Sequence, residues 1–372
     1  MTQYNNDQIK IYTAKEQGIK WLHKYTGKTP IFSCILGFTE TALIEGISTA
    51  GATPESRLYT AVADAEFLVN GVQPHPHFAL PPLHVGVSPV FITRAVVERF
   101  NLPTFVFNAG LKFSPPVPHI DLDGQFAQCV STGKALPLAT VKHLYQQGWK
   151  WGEKLANQAE SSYLILSECV VGGTTTALAL LTALGISAKD KVNSSHPICN
   201  HQQKWSIVKQ GLKNLPSNLD PFSIISAIGD PMQIVVAGMA ISASQKVGVM
   251  LAGGTQMLAV FALIKDLQKQ YALSFPLENI IVGTTRWVAE DHTGDTVTLA
   301  HLIGDVSLCS TQLNFSRSQY TSLQKYEEGF VKEGVGAGGS AISAHLLGLN
   351  NRELLILIET ILSRFHTVTN SQ

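Results

Sequence analysis

The feature that most constrains this chain is an alternation. Short apolar runs, most of them rich in β-branched and aromatic residues, are separated by stretches of helical periodicity. The runs are PIFSCILG (30–37), HFALPPLHVGV (77–87), TFVFNAG (104–110), SYLILSE (162–168), VGVML (247–251) and NIIVGT (279–284). Segments such as TRAVVERF (93–100) and TTALALLTAL (175–184) lie between them. Strands that read as continuously apolar are those a parallel sheet buries on both faces, so the pattern predicts an α/β fold with a doubly wound, mostly parallel, Rossmann-like sheet. Functional groups in such a sheet collect beyond the carboxyl ends of its strands.

Both ends of the chain differ from this middle. Residues 5–27 read as a helical arm, and residues 321–372 hold YEEGFVKEG, a Gly-rich stretch, SAISAHLLGL and NRELLILIETILSRF without a strand pattern. The expected organisation is an α/β domain over 28–315 and a small helical subdomain built from both termini, 1–27 and 316–372. The run from Val247 to Ile264 approaches the length of a membrane span, but Gly253-Gly254 divides it into a buried strand and an amphipathic helix. No membrane association is expected.

Charge narrows the functional classes. Lys plus Arg is 27 and Asp plus Glu is 27, a formal net charge of zero that disfavours nucleic acid as a partner. The cysteines Cys34, Cys129, Cys169, Cys199 and Cys309 are scattered and contain no CxxC pair, which suggests reduced thiols in a cytoplasmic protein. The N-terminus lacks the apolar core of a signal peptide.

The sharpest local signal is SECVVGGTTT (167–176), running from a strand into a helix. Gly172 and Gly173 permit a tight turn, and a helix N-terminus beyond them, with Thr174 and Thr175, offers backbone N–H groups and a positive dipole end to phosphate. From spacing alone, a plain strand-to-helix turn with a threonine cap is favoured over phosphate binding. No lysine follows Gly173, so a Walker-type triphosphate loop is disfavoured. Glu168, at the strand end, would face a ribose hydroxyl or a base N–H, or form a surface salt bridge.

Further candidates are weaker. GDPMQ places Gly229 and Asp230 ahead of a helix, where Asp230 caps the helix or contacts substrate. Lys246, before VGVML, could balance phosphate charge or remain solvated. EGVGAGG (333–339) contains GxGxxG at Gly334, Gly336 and Gly339, but no strand precedes it and no βαβ unit follows, so the dinucleotide reading fails. What remains is a loop holding Glu333, which partial desolvation would tune toward a general base. His196 and His201 near Cys199, and His292 among Glu290, Asp291 and Asp295, lack metal-ligand spacing, and no metal or cofactor is expected.

The order SECVVGGTTTALALL, GDPMQIVVAGMA, KVGVMLAGGTQM, VKEGVGAGGSAISA resembles the nicotinate-nucleotide-dimethylbenzimidazole phosphoribosyltransferase family of cobamide biosynthesis. TETALIEGISTAGATPE (39–55) and VAEDHTGD (288–295) are similar to a divergent branch of it. The resemblance implies a cytoplasmic, homodimeric pentosyltransferase that moves phosphoribose from nicotinate mononucleotide to a benzimidazole-like or purine base. The products would be nicotinate and an α-ribazole 5′-phosphate-type nucleotide. It also implies Glu333 as general base, Glu168 as its assistant, and Gly172, Gly173 and Thr174 in the nucleotide-binding turn. Thr175, Gly229, Asp230, Lys246, Gly253, Gly254, Gly334 and Gly336 complete the expected substrate-binding set. Lys332 stands where the family typically has glycine. Glu40, Ser88 and Asn108, at or beyond strand ends, are candidates for the base pocket. The alternatives are a noncatalytic module that binds nicotinate mononucleotide and a metal-dependent hydrolase built on His292.

Overall fold

The computed structural model describes residues 7–80, 86–217 and 219–370. Eight strands form one sheet: β1 (Ile9–Ile11), β2 (Ile31–Gly37), β3 (Thr104–Gly110), β4 (Ile120–Asp121), β5 (Tyr163–Cys169), β6 (Gly248–Ala252), β7 (Ile280–Thr285) and β8 (Ser307–Thr311). Their order is β1-β8-β7-β6-β5-β2-β3-β4, with every pairing parallel except β1 with β8. The helices are α1 (Lys15–Tyr25), α2 (Arg57–Asn70), α3 (Val90–Phe100), α4 (Leu138–Ala159), α5 (Gly173–Ala183), α6 (His201–Leu212) and α7 (Pro221–Ile228). The second half adds α8 (Pro231–Ser244), α9 (Thr255–Tyr271), α10 (Arg286–Ala289), α11 (Thr296–Ile303), α12 (Thr321–Gln324), α13 (Ala337–Leu346) and α14 (Asn351–Asn370).

Alternation along each strand sends side chains to two cores. Ile31, Ile35, Leu164, Leu166, Val249 and Leu251 face α4 to α9 and α11. Phe32, Cys34, Leu36, Ile165, Met250 and Ala252 face α1, α2, α3, α13 and α14. A sheet covered on both faces explains why these strands read as unbroken apolar runs. The Val247–Ile264 run divides into β6 and α9 as its glycines predict, and among the described residues no helix is long and apolar enough to cross a membrane.

The winding reverses between β2 and β5. From β2 the chain moves outward to β3 and β4, then returns to lay β5 on the other side of β2 and proceeds to β6, β7 and β8. Connections therefore diverge at the carboxyl ends of these two central strands, where Leu36 pairs with Cys169 and Ile35 with Glu168. A crevice opens at such a switch point.

Three sequence expectations need revision. No strand forms at the described residues of 77–87, while 81–85 lie outside the described residues. The Glu66 carboxylate accepts the N–H groups of His77 and Phe78, each at 2.8 Å, so these donors are not free for a ladder. Residues 9–11 of the expected helical arm instead pair as β1 with β8, and the helix begins only at Lys15. Finally, SLCST forms β8, whose Ser, Cys and Thr residues are wholly buried yet carry little apolar signal.

Candidate active site

Glu168 is the penultimate residue of β5, at the switch point, and is 3% exposed. Its Oε2 accepts the backbone N–H of Val170 at 3.1 Å. Burial pushes its carboxyl up to about 8, against the pull of that hydrogen bond, with the neighbouring Glu333 charge adding to the rise. The chain then turns through Gly172, whose φ of +82° suits glycine, into the N-terminus of α5. A Cβ on Gly173 would lie 1.8 Å from Gln256 Oε1, so any side chain there would have to displace the Gln256 amide.

Glu333 reaches the same place from the other end of the chain. The N–H of Val335 donates to the carbonyl of Glu168 at 3.0 Å, which pins the Glu333 loop to the end of β5. Four donors hold the carboxylate: Thr284 Oγ1 (3.1 Å) and Thr285 N (2.9 Å) on Oε2, Gly334 N (3.2 Å) and Gly338 N (3.0 Å) on Oε1. Gly338 belongs to the first turn of α13, so the helix dipole also favours the anion. Desolvation outweighs these donors and pushes the carboxyl up to about 7. Val335 occupies the left-handed region at φ +51°, an unfavourable conformation for a β-branched residue, and costs about 1–3 kcal/mol. That strain sits two residues from Glu333.

Both carboxyls line a cavity of about 710 Å³ at the carboxyl ends of β2 and β5. Asp64 of α2 lies on its wall, accepting Ser88 Oγ at 2.6 Å and Cys169 Sγ at 3.6 Å, and burial raises its carboxyl to about 6. Arg57, His196 and Lys332 supply basic groups on the cavity lining. Lys332 Nζ meets Asp291 at 2.6 Å in a pair with both side chains 4% exposed. Asp291 also accepts from Asn193 and Cys199, so the loops over 193–199, 291–296 and 330–335 share one buried network.

Of the expected residues, Glu168, Gly172, Gly173, Thr174, Gly254, Glu333, Gly334 and Ser88 line this cavity. Thr175 is buried behind the turn. Gly336, which starts α13 at φ +71°, and Gly253 are packing positions where a Cβ would meet Ser167 and Met257 respectively. Gly229 packs on Ile225 and Gln233, while Asp230 is a helix cap: it accepts Gln233 N and receives Thr176 Oγ1 at 2.6 Å, tying α8 to α5. Lys246 lies at the amino end of β6, away from the cavity, and bonds Asn157 Oδ1 at 2.7 Å. A parallel strand separates its two ends by its whole length, so a residue before β6 cannot reach a site beyond its carboxyl end. Glu40 pairs with Lys112, and Asn108 holds the turn at Gly110 and Leu111; neither lines the cavity. His292 is exposed, and among the described residues no three His, Cys, Asp or Glu side chains gather as a metal site.

Sequence reasoning missed Arg57 and Asp64. The available signal for Asp64 was a carboxylate inside the apolar helix sequence AVADAEFLV. Arg57 gave none, because its burial depends on the loop that precedes it.

Comparison with known proteins gives the family and the fold. A UPF0284 protein of Crocosphaera subtropica is 62% identical over 97% of this chain and 100% of its own length. One from Microcystis aeruginosa is 63% identical, over 95% and 98%. The chain belongs to the UPF0284 family. A phosphoribosyltransferase family model, DBI_PRT, matches residues 100–273. The fold is also that of two crystal structures from Thermus thermophilus. One is CobT, with TM-score 0.60 and 15% identity over 89% of this chain and 84% of that one. The other is a nicotinate-nucleotide-dimethylbenzimidazole phosphoribosyltransferase, with TM-score 0.58 and 15% identity over 95% and 92%. The UPF0284 chain thus has the expected α/β fold, even though its identity to either crystal structure is low.

Proposed function

We propose that this chain transfers phosphoribose from nicotinate mononucleotide to a benzimidazole-like or purine base, forming an α-nucleotide and nicotinate. The observation that carries the reading is two carboxyls, Glu168 and Glu333, both raised toward neutral pH, on one cavity with a glycine turn and helix N-terminus. Two coupled acids of this kind share a proton near pH 7. The charge resides on Glu333, which has four donors and a helix end, and the proton on Glu168, which has one backbone donor.

The pyridinium nitrogen of nicotinate mononucleotide is already cationic, so nicotinate leaves without protonation and positive charge develops on the ribose. A carboxylate fixed in a desolvated wall stabilises that charge without reorganising. The incoming base attacks C1′ through one ring nitrogen from the face opposite the departing nicotinate, which inverts β to α. Its N–H proton passes to Glu333. Accepting it requires one donor to turn away, and the Gly334 N–H is the longest contact of the four. The α5 turn holds the 5′-phosphate and so fixes the reacting atoms in register. The same reading carries a homodimer and a division into an α/β domain over 28–315 and a terminal subdomain over 1–27 and 316–372, with β1 of the latter joining the sheet.

The test is a mass-spectrometric assay with nicotinate mononucleotide and either dimethylbenzimidazole or adenine. Nicotinate with a matching α-nucleotide is the expected result. Binding of the nucleotide without release of nicotinate, for any base, overturns transfer and favours a noncatalytic binding module.

A further inference from the structure

A phosphate seated on α5 needs a cation, and the lysine expected to supply it, Lys246, is at the wrong end of the sheet. The geometry points to Arg57. This residue opens α2 and is 4% exposed, and its side chain lines the cavity. Nη1 donates to the carbonyls of Ala42 and Ile44, each at 2.9 Å, and Nε is buried without a partner. Among the described residues no carboxylate forms an ion pair with it. The contrast with Lys332 on the same cavity is direct, since Lys332 has Asp291 at 2.6 Å.

Glu45 and Glu55 act on this guanidinium only through space, without an ion-pair contact, and a desolvated guanidinium is best completed by an anion in direct contact. Its position relative to α5 identifies where that anion would sit. A Cβ on Gly172 would lie 3.0 Å from the amide nitrogen of Ala42, the residue whose carbonyl receives Arg57 Nη1. One residue therefore separates the guanidinium from the glycine that starts α5. Gly51, at φ +132°, packs on the Arg57 stem, where a Cβ would approach Cγ to 2.8 Å. The loop over 45–56 is thereby shaped around the arginine.

We propose that Arg57 and the N-terminal turn of α5 form one phosphomonoester site, with the guanidinium supplying the positive charge and α5 the backbone donors. The assignment rests on the phosphoribosyl reading for its physiological ligand, and it fixes which end of the cavity takes the phosphate. Guanidinium suits this role because its planar fork matches phosphate oxygens.

Ribose 5-phosphate and inorganic phosphate are the probes, measured by calorimetry on the full chain. The wild type should bind ribose 5-phosphate. R57Q, which keeps a donor for the Ala42 and Ile44 carbonyls, should weaken it by about tenfold or more, the scale of one charge-assisted hydrogen bond. R57K should fall between them, and inorganic phosphate should raise the wild-type Tm but not that of R57Q. Ribose 5-phosphate affinity of R57Q within about twofold of wild type overturns the site. If R57Q does not fold, hydrogen exchange on the wild type decides: protection by ribose 5-phosphate over residues 42–57 and 172–175 supports the site, and protection confined elsewhere removes it. The two readings fail separately. Ribose 5-phosphate binding without nicotinate release overturns transfer alone, whereas transfer with an unchanged KM for nicotinate mononucleotide in R57Q overturns the Arg57 site alone.

Discussion

The two rims of the sheet handle charge in opposite ways. At the amino ends, Lys246 contacts Asn157 and Glu153 with both charged side chains about half exposed, an arrangement that water would support almost as well. At the carboxyl ends, Glu168, Glu333, Asp64 and Arg57 line one cavity, and no ion pair neutralises any of them among the described residues. The same rim does contain a neutralised pair, Lys332 with Asp291, one residue from Glu333. Burial therefore does not by itself leave a charge unpaired in this fold. Four of the charged groups on the cavity, Glu168, Glu333, Asp64 and Arg57, have no such partner, as expected of a surface completed by a ligand.

This contrast can be broken experimentally. The largest effect should come from Glu333→Gln, which keeps the size of the side chain but removes its charge: turnover in the transfer assay should fall by about 10²–10⁴-fold with nucleotide binding retained. Near-normal turnover would reassign the base. Asp291→Asn should leave Lys332 buried and unpaired, lowering stability in chemical denaturation by about 3–5 kcal/mol. A loss comparable to that of a surface pair would mean that water already reaches the lysine.

Proton linkage gives smaller effects of defined sign. The rate should rise as Glu333 ionises through about 7 and fall as Glu168 loses its proton through about 8, so kcat/KM against pH should be a narrow bell. A flat profile from pH 6 to 9 would separate these groups from the chemistry. Glu168, Glu333, Asp64 and Asp230 all titrate above their unfolded values, so the folded state holds protons that the unfolded state releases. Their contribution is full below the unfolded carboxyl range and is lost as pH rises through about 6 to 8. The Tm of the free protein should accordingly decline over that interval, and less steeply in Glu168→Gln. The smallest effect belongs to Lys246→Ala, which should change stability by no more than about 0.5 kcal/mol and leave kcat/KM unchanged.

Much of this was legible in the residues. The apolar runs for β2, β3, β5, β6 and β7 are long and branched because both sheet faces are covered, and a period-two pattern is unnecessary there. Glu168 and the Gly172-Gly173 turn were legible because a strand, a carboxylate, two glycines and a helix follow one another directly in sequence. β8 was not, since a buried polar strand finds its partners in distant segments: Ser310 Oγ, for example, lies 3.2 Å from the Tyr12 hydroxyl, 298 residues away.

Sequence by itself determined the doubly wound class and the position of each glutamate beside a glycine-rich turn, because backbone freedom and strand burial are properties of neighbouring residues. Tertiary structure alone decided which groups share a cavity. It sent Lys246 to the far rim, made Asp230 a helix cap, and brought Arg57 beside a helix that begins 116 residues later. The physical reason is that a charge's pairing and desolvation depend on what surrounds it in space, and the order of winding at β2 and β5 sets those surroundings.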